Sequence, residues 1–120
     1  MNYSENALNV AKQMFMKKGE DVKLLKVDHL TILADYFLIV SGRSDVHVKS
    51  LCDDVEKLME SKGRQRLRIE GYRQGRWIVL DYGDMLIHIF HKSEREFYDL
   101  ERLWIDGDNC IEITDDMVMA

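Results

Sequence analysis

Two carboxylates, two aromatic rings and a histidine fall close together at Trp77, Asp81, Tyr82, Asp84 and His88. Asp81-Tyr82-Gly83-Asp84 puts paired acids at what reads as a hairpin tip. Acids that face each other do acid-base or metal-assisted work, although Asp and Gly are equally the residues of an ordinary turn. Trp77 and Tyr82 bracket those acids, and aromatic groups beside fixed polar ones are the usual anchors of a protein-protein contact. Packing of Trp77 into the core is the competing reading. The histidines are His29, His47, His88 and His91. His88 and His91 stand three apart on a predicted strand, so their side chains point to opposite faces and cannot share a metal. His88 falls on the same face as Leu86 and Phe90, which predicts a hydrogen-bonded, partly buried ring. Neither a metal nor another cofactor is expected.

A second candidate is Ser41-Gly42-Arg43-Ser44, between a predicted buried strand and a helix N-terminus, where main-chain amides can hold an anion. No Gly-Lys-Ser/Thr follows, and one glycine does not make the dinucleotide fingerprint. The turn resembles the Gly-Ser turn of nucleotidyltransferases, whose chemistry needs paired carboxylates on the next strand. Here that stretch, residues 66–70, is basic and offers only Glu70. Ser44 acting as a plain helix cap accounts for the same residues.

The elements that would position these groups are legible in the apolar spacing. Ser4 is predicted to cap a helix with the stripe Ala7, Leu8, Ala11, Met14 and Phe15, with Gly19 as its left-handed stop. A β-rich segment follows at residues 22–27. Residues 35–40 hold an unbroken apolar run after Asp35, from Tyr36 to Val40, which suits a central strand buried on both faces beside it. Ser44 or Asp45 opens a second helix carrying Val48, Leu51, Cys52, Val55, Leu58 and Met59, ended by Gly63. Residues 77–81 and 85–91 then read as two strands of an antiparallel hairpin joined through Tyr82-Gly83-Asp84. Ser93-Glu94-Arg95-Glu96 has the form of a capping box, with Ser93 as the cap and Phe97, Leu100 and Trp104 as a buried stripe. The order predicts an α+β domain, a mixed β-sheet with helices packed on it. After Trp104 the period weakens, and the remaining residues are expected to be a short helix or a mobile tail.

With 120 residues, 46% of them hydrophobic and 32% charged, the chain suits one folded domain rather than a disordered segment. The first residues lack the pattern of a signal or transit peptide, and no apolar run spans a bilayer, so a cytoplasmic protein without a membrane role is expected. Cys52 and Cys110 are expected to be reduced thiols, Cys52 in the core. The net charge of -5 is unevenly spread. Residues 62–76 hold six bases (Lys62, Arg64, Arg66, Arg68, Arg73, Arg76) against Glu70, whereas residues 99–120 hold seven acids against Arg102. A basic stretch can mark a contact with RNA, and the plainer reading is a solvated edge strand and a solvated tail.

Several blocks taken together are more specific than any of these motifs. Ala34-Asp35-Tyr36-Phe37-Leu38-Ile39-Val40-Ser41-Gly42 with Ser44-Asp45, Glu70-Gly71, Gly75-Arg76-Trp77-Ile78-Val79-Leu80-Asp81-Tyr82-Gly83-Asp84, His88-Ile89-Phe90 and Arg95-Glu96-Phe97-Tyr98-Asp99-Leu100-Glu101-Arg102-Leu103-Trp104 resemble the signature of the Iojap-like ribosomal silencing factors. The likeness covers residues 1–104, with residues 105–120 as an acidic C-terminal tail of the same domain. It implies a nucleotidyltransferase-like fold that is catalytically inactive. It further implies a repressor of translation under nutrient limitation, which binds the large ribosomal subunit through its fourteenth protein and blocks joining of the small subunit. A homodimer in the free state is implied as well. Carried onto this chain, the partner-binding residues are Trp77, Leu80, Asp81, Tyr82, Asp84 and His88. The rivals are a nucleotide-binding or nucleotidyltransferase-like enzyme at Ser41 to Ser44 with Glu70, Asp81 or Asp84, and a direct rRNA binder using the arginines of residues 64–76, which as a minor rRNA contact is compatible with the first reading.

Overall fold

A computed structural model describes residues 3–119. The first helix, α1 (Glu5–Met16), begins where predicted, with Ser4 Oγ accepting from the amide of Ala7 at 3.1 Å. Its end differs from expectation. Lys18, not Gly19, takes the left-handed conformation, at φ 71°. What Gly19 supplies is room: a Cβ there would lie 2.5 Å from a methyl of Val40 and 2.8 Å from the carbonyl oxygen of Met14. The glycine lets the chain turn from α1 into β1 (Glu20–Lys26) tight against the next strand.

β2 (Tyr36–Gly42) is buried along its whole length, as its unbroken apolar run requires. It pairs antiparallel with β1 and parallel with β5 (Met85–His91). Between β2 and β5 the chain passes through α2 (Asp45–Ser61), the short β3 (Arg68–Glu70) and β4 (Trp77–Asp81). β4 pairs antiparallel with both β3 and β5, so the predicted hairpin is present with Trp77 opposite Phe90 and Val79 opposite His88. The full order is β3-β4-β5-β2-β1-β6. The last member, β6 (Cys110–Glu112), pairs antiparallel with β1, and α5 (Asp115–Met119) packs against α1. The segment after Trp104 thus closes the far edge of the sheet. A three-residue strand has too little periodicity to show in the sequence, and the edge of β1 supplies its partner.

One face of this mixed sheet is covered by α1 and α2. Leu24, Leu38, Val40, Ile78, Leu80, Ile87 and Ile89 meet the helical stripes there. Five α2 residues, Val48, Leu51, Cys52, Val55 and Met59, are buried in that layer; the large apolar ones are worth about 1.5–3 kcal/mol each on removal from water. The opposite face carries Leu25, Val27, Phe37, Ile39 and Phe90, with Trp77, Leu86, Leu100, Trp104 and Cys110 around them. Among the described residues no long helix covers it.

At its edge the chain makes two short helices, α3 (Lys92–Tyr98) and α4 (Leu100–Trp104), separated by Asp99 at φ 45°. The capping-box expectation fails here. His91 is the N-cap, its Nδ1 accepting from the amide of Ser93 at 3.2 Å, while Ser93 Oγ receives Arg76. The predicted stripe is also broken. Phe97 is 79% exposed, because the turn at Asp99 rotates it away while Leu100 and Trp104 pack on Phe37 and its neighbours.

What fastens these helices is Arg95, only 6% exposed. Its Nε donates to Glu101 Oε1 at 3.1 Å, Nη1 to Ser41 Oγ at 2.8 Å and Nη2 to the carbonyl of Asp21 at 2.7 Å. Asp21 reaches it because an irregularity in β1 sets that residue at φ 52°. Removing the guanidinium would leave Ser41 and the Asp21 carbonyl without their donor and Glu101 with Lys23, 3.7 Å away, as its remaining cation. Arg95→Ala is therefore expected to lower stability by about 3 kcal/mol in urea denaturation, and Arg102→Ala, at a position without such contacts, by less than about 0.5 kcal/mol.

Candidate functional site

The alternation along β4 decides which of the six singled-out residues can meet a partner. Trp77, Val79 and Asp81 point to the open face and are half-buried, whereas Ile78 and Leu80 point to the helices and are fully buried. His88 on β5 shares the open face. Leu80 is accordingly not available as apolar fill at a surface. Tyr82 is also turned inward, 5% exposed, its hydroxyl pushed up to about 12 by burial, with Glu56 adding to the effect. Both residues support the hairpin from beneath. The face assignment depends on which side α2 covers, and strand alternation by itself leaves that choice free.

Three of the six therefore share this face, Trp77, Asp81 and His88, and of these Trp77 and His88 touch. The indole Nε1 of Trp77 donates to His88 Nδ1 at 3.2 Å. Trp77 also stacks on Phe90, ring centres 4.9 Å apart, and meets Tyr98 of α3 at 4.7 Å. Phe37 sits edge-on to His88 at 5.3 Å and to Trp104 at 5.0 Å. These rings hold the histidine in an apolar cage, and burial pushes its pKa down to about 4. Asp81 Oδ1 accepts from the amide of Gly83 at 2.8 Å, and its other oxygen lies 3.6 Å from Arg68. Asp84 stands apart at the tip, paired with Arg64, whose guanidinium also donates to the Tyr82 carbonyl at 2.9 Å and lies over the Tyr82 ring.

Beside this cluster lies a groove of about 230 Å³ lined by Leu33, Val79 and Leu86 with Arg68, Glu70 and Asp81. Leu33 is 65% exposed and its neighbour Ile32 is fully exposed. Neither residue, nor Tyr98, was among the sequence candidates. Their signal was an apolar pair inside a connecting segment, which periodicity analysis does not weigh. From Phe97 through Tyr98, Trp77 and Val79 to Leu33 the apolar groups form one strip across the open face.

The other candidates are used internally. Ser44 Oγ caps α2 by accepting from the amide of His47 at 3.1 Å, and Ser41 Oγ receives Arg95. The four histidines are dispersed: His29 stands near Asp28 and Asp106, and His47 accepts from the amide of Arg43. Cys52, Asp53 and Glu56 do bring three ligand-type atoms within 4.8 Å on α2. There burial pushes the Cys52 thiol up to about 12, and its hydrogen is directed at Glu56, 3.6 Å away.

The basic stretch is largely neutralised. Arg64 pairs with Asp84, Arg66 with Glu56, Arg68 with Asp81, and Arg76 with Asp45 and Glu94. Lys62 donates to Asn9. Among the described residues Arg73 alone of the six bases has neither an ion pair nor a side-chain hydrogen bond.

The family model described as "Ribosomal silencing factor during starvation" matches residues 1–119. The chain belongs to this ribosomal silencing factor family. It is 41% identical over 91 residues to the ribosomal silencing factor RsfS of Halalkalibacterium halodurans, covering 76% of this chain and 78% of that one. To RsfS of Bacillus subtilis it is 39% identical, covering 76% and 77%. Mouse "Mitochondrial assembly of ribosomal large subunit protein 1" is 30% identical over 73% of this chain and 40% of its own length. A crystal structure from Bacillus halodurans superposes with a TM-score of 0.78 at 34% identity, over 92% of this chain and all of that one. The mixed α+β sheet described above is thus the fold of solved relatives.

The caged histidine gives this face a pH signature. Folding favours the neutral ring, so the unfolded chain binds more protons between the ordinary pKa of 6.5 and the folded value of about 4. Stability is fully present above pH 6.5 and falls through that window on acidification. Wild type is expected to lose about 2 kcal/mol more than His88→Gln between pH 7 and pH 5, read from urea midpoints of the two proteins.

Proposed function

We propose that this silencing factor binds the large ribosomal subunit through its fourteenth protein, using the open sheet face around Trp77, Asp81 and His88. Bound there, it sterically keeps the small subunit from joining and so represses translation when nutrients are scarce. The observation that carries this reading is the face itself: a strip of half-exposed aromatic and aliphatic side chains, flanked by fixed charges, with no long helix across it. Such a surface is the ordinary composition of a protein-protein contact. The family description refers to ribosomal silencing during starvation, and the mouse relative's name refers to assembly of the large subunit.

The role is binding and not catalysis, on a nucleotidyltransferase-like scaffold. In support, Asp81 and Asp84 face arginines and a turn amide instead of each other, and β3 brings Arg68 and Glu70 where a transferase strand would need paired acids. Asp81 and Asp84 remain the acids to meet basic groups of the partner, Asp84 from the hairpin tip by exchanging Arg64. Leu80 and Tyr82 contribute by holding the hairpin from below. A direct rRNA contact through residues 64–76 is minor in this reading, since most of those bases already have acidic partners. The free protein is a cytoplasmic homodimer, and one copy acts on each subunit.

Co-sedimentation with purified large subunits tests the proposal. Wild type is expected in the subunit fractions, Trp77→Ala to bind at least about tenfold more weakly, as for a hot-spot aromatic, and Arg73→Ala to bind as wild type. A wild-type protein that stays at the top of the gradient sinks the reading. Steep loss of binding with salt, matched on naked RNA, would favour the RNA contact instead.

A further inference from the structure

A cavity of about 590 Å³ opens between the start of α1, the end of α2 and the first residues of β2 and β5. Its size is that of a small-molecule pocket, and part of its lining is the apolar core: Val10, Met59 and Met85 are buried there. Tyr36 stands in the wall, 8% exposed. Its hydroxyl receives the amide of Ser4, another lining residue, at 2.9 Å. A hydroxyl also has one hydrogen to give. That of Tyr36 has no acceptor among the described residues, and a donor buried so deeply is rarely left unused.

Further donors converge on the same place. Ser4, Asn6 and Ala7 bring the first turn of the twelve-residue α1 to the cavity, and first-turn amides have no acceptor within their own helix. Ser4 Oγ takes the amide of Ala7. Glu5, the acid of that turn, is not part of the lining. Lys62, exposed at the end of α2, donates to the neutral Asn9 at 2.9 Å and has no ion pair among the described residues. An anionic group at this end of the cavity meets donors from α1, α2 and β2.

The lining also contains acid. Asp84 is paired with Arg64, which lines the cavity with it. The carboxylate of Asp35 is exposed and has neither an ion pair nor a side-chain hydrogen bond among the described residues. A simple anion would be repelled by it. A ligand that carries both charges on an apolar body satisfies Tyr36 and Lys62, Asp35 and the methionine-lined floor together.

We propose that this cavity binds a free amino acid with an apolar side chain. Its carboxylate is held by the Tyr36 hydroxyl, Lys62 and the start of α1, its ammonium by Asp35, and its side chain lies on Val10, Met59 and Met85. Methionine adapts its shape to different apolar groups, so more than one aliphatic side chain is accepted. The site is separate from the open face and does not depend on the docking reading. Arg64 and Asp84 are the lining residues it shares with the hairpin tip.

The test follows amide spectra of the full chain, labelled with ¹⁵N, on titration with leucine, isoleucine, valine and methionine. At least one is expected to give saturable shifts centred on Ser4, Asp35 and Lys62. Lys62→Ala and Asp35→Asn, both at exposed positions, are each expected to bind about tenfold more weakly, the effect of one lost charged contact. Isocaproate, which keeps the carboxylate and the apolar chain of leucine but lacks the ammonium, is expected to bind wild type weakly and Asp35→Asn no worse. A dipeptide of leucine is expected to bind more weakly than leucine. The proposal is overturned if none of these amino acids gives a saturable shift, or if both variants bind as wild type. Isocaproate binding as tightly as leucine, or the dipeptide binding more tightly, overturns it as well.

Discussion

Arg95 has been taken out of water, and the open face depends on where it is held. Each of its three nitrogens donates to a different part of the chain: Glu101 in α4, Ser41 at the end of β2, and the main chain of Asp21 in β1. A buried guanidinium is tolerated only when its donors are met in this way. The same contacts fix α3 and α4 at the end of the two central strands. From there Tyr98 reaches Trp77, and Leu100 and Trp104 reach the core of the open face. The break at Asp99 follows from this, since one continuous helix could not bring both Tyr98 and Trp104 onto the sheet.

The two faces divide the work. Helices α1 and α2 cover one side and bury Ile78, Leu80 and Tyr82 beneath it, which makes the β4-β5 hairpin a rigid platform. The other side leaves Trp77 half-covered and Tyr98 exposed over the buried rings of Phe37, His88 and Phe90. Trp77, Phe90, Tyr98, Phe37 and His88 touch one another in stacked and edge-on pairs, each contributing beyond simple burial. A surface assembled in advance loses little conformational freedom on association, which favours tight recognition from a small area.

Charge is organised more locally than its distribution along the chain suggests. Four of the five arginines of residues 64–76, all but Arg73, fold back onto carboxylates of α2, β4, the hairpin tip and α3, so the basic stretch is largely a mesh of surface ion pairs. Individually such pairs add little to stability, but together they remove free positive charge from the edge next to the groove. The half-covered Trp77 and the apolar groove then stand in a setting where shape matters more than long-range attraction.

By itself the sequence determined the elements that local spacing encodes: the cap at Ser4, the unbroken run of β2, the stripe and cap of α2, and the hairpin centred on Gly83. It also determined the family, because blocks such as the one from Gly75 to Asp84 are long and keep their order. Tertiary structure alone decided which face of the hairpin is open. That choice put Trp77, Asp81 and His88 on one face, with Trp77 against His88, and turned Leu80 and Tyr82 into its foundation. Nor could spacing reveal the roles of Leu33, Tyr98 and Arg95. Their significance comes from contacts with residues distant in the chain, Arg95 to Ser41 and Asp21 above all, and periodicity records only neighbours on one element. The opening cluster was legible as residue types, but its chemistry was settled by the cage that keeps His88 neutral with its Nδ1 bound to Trp77.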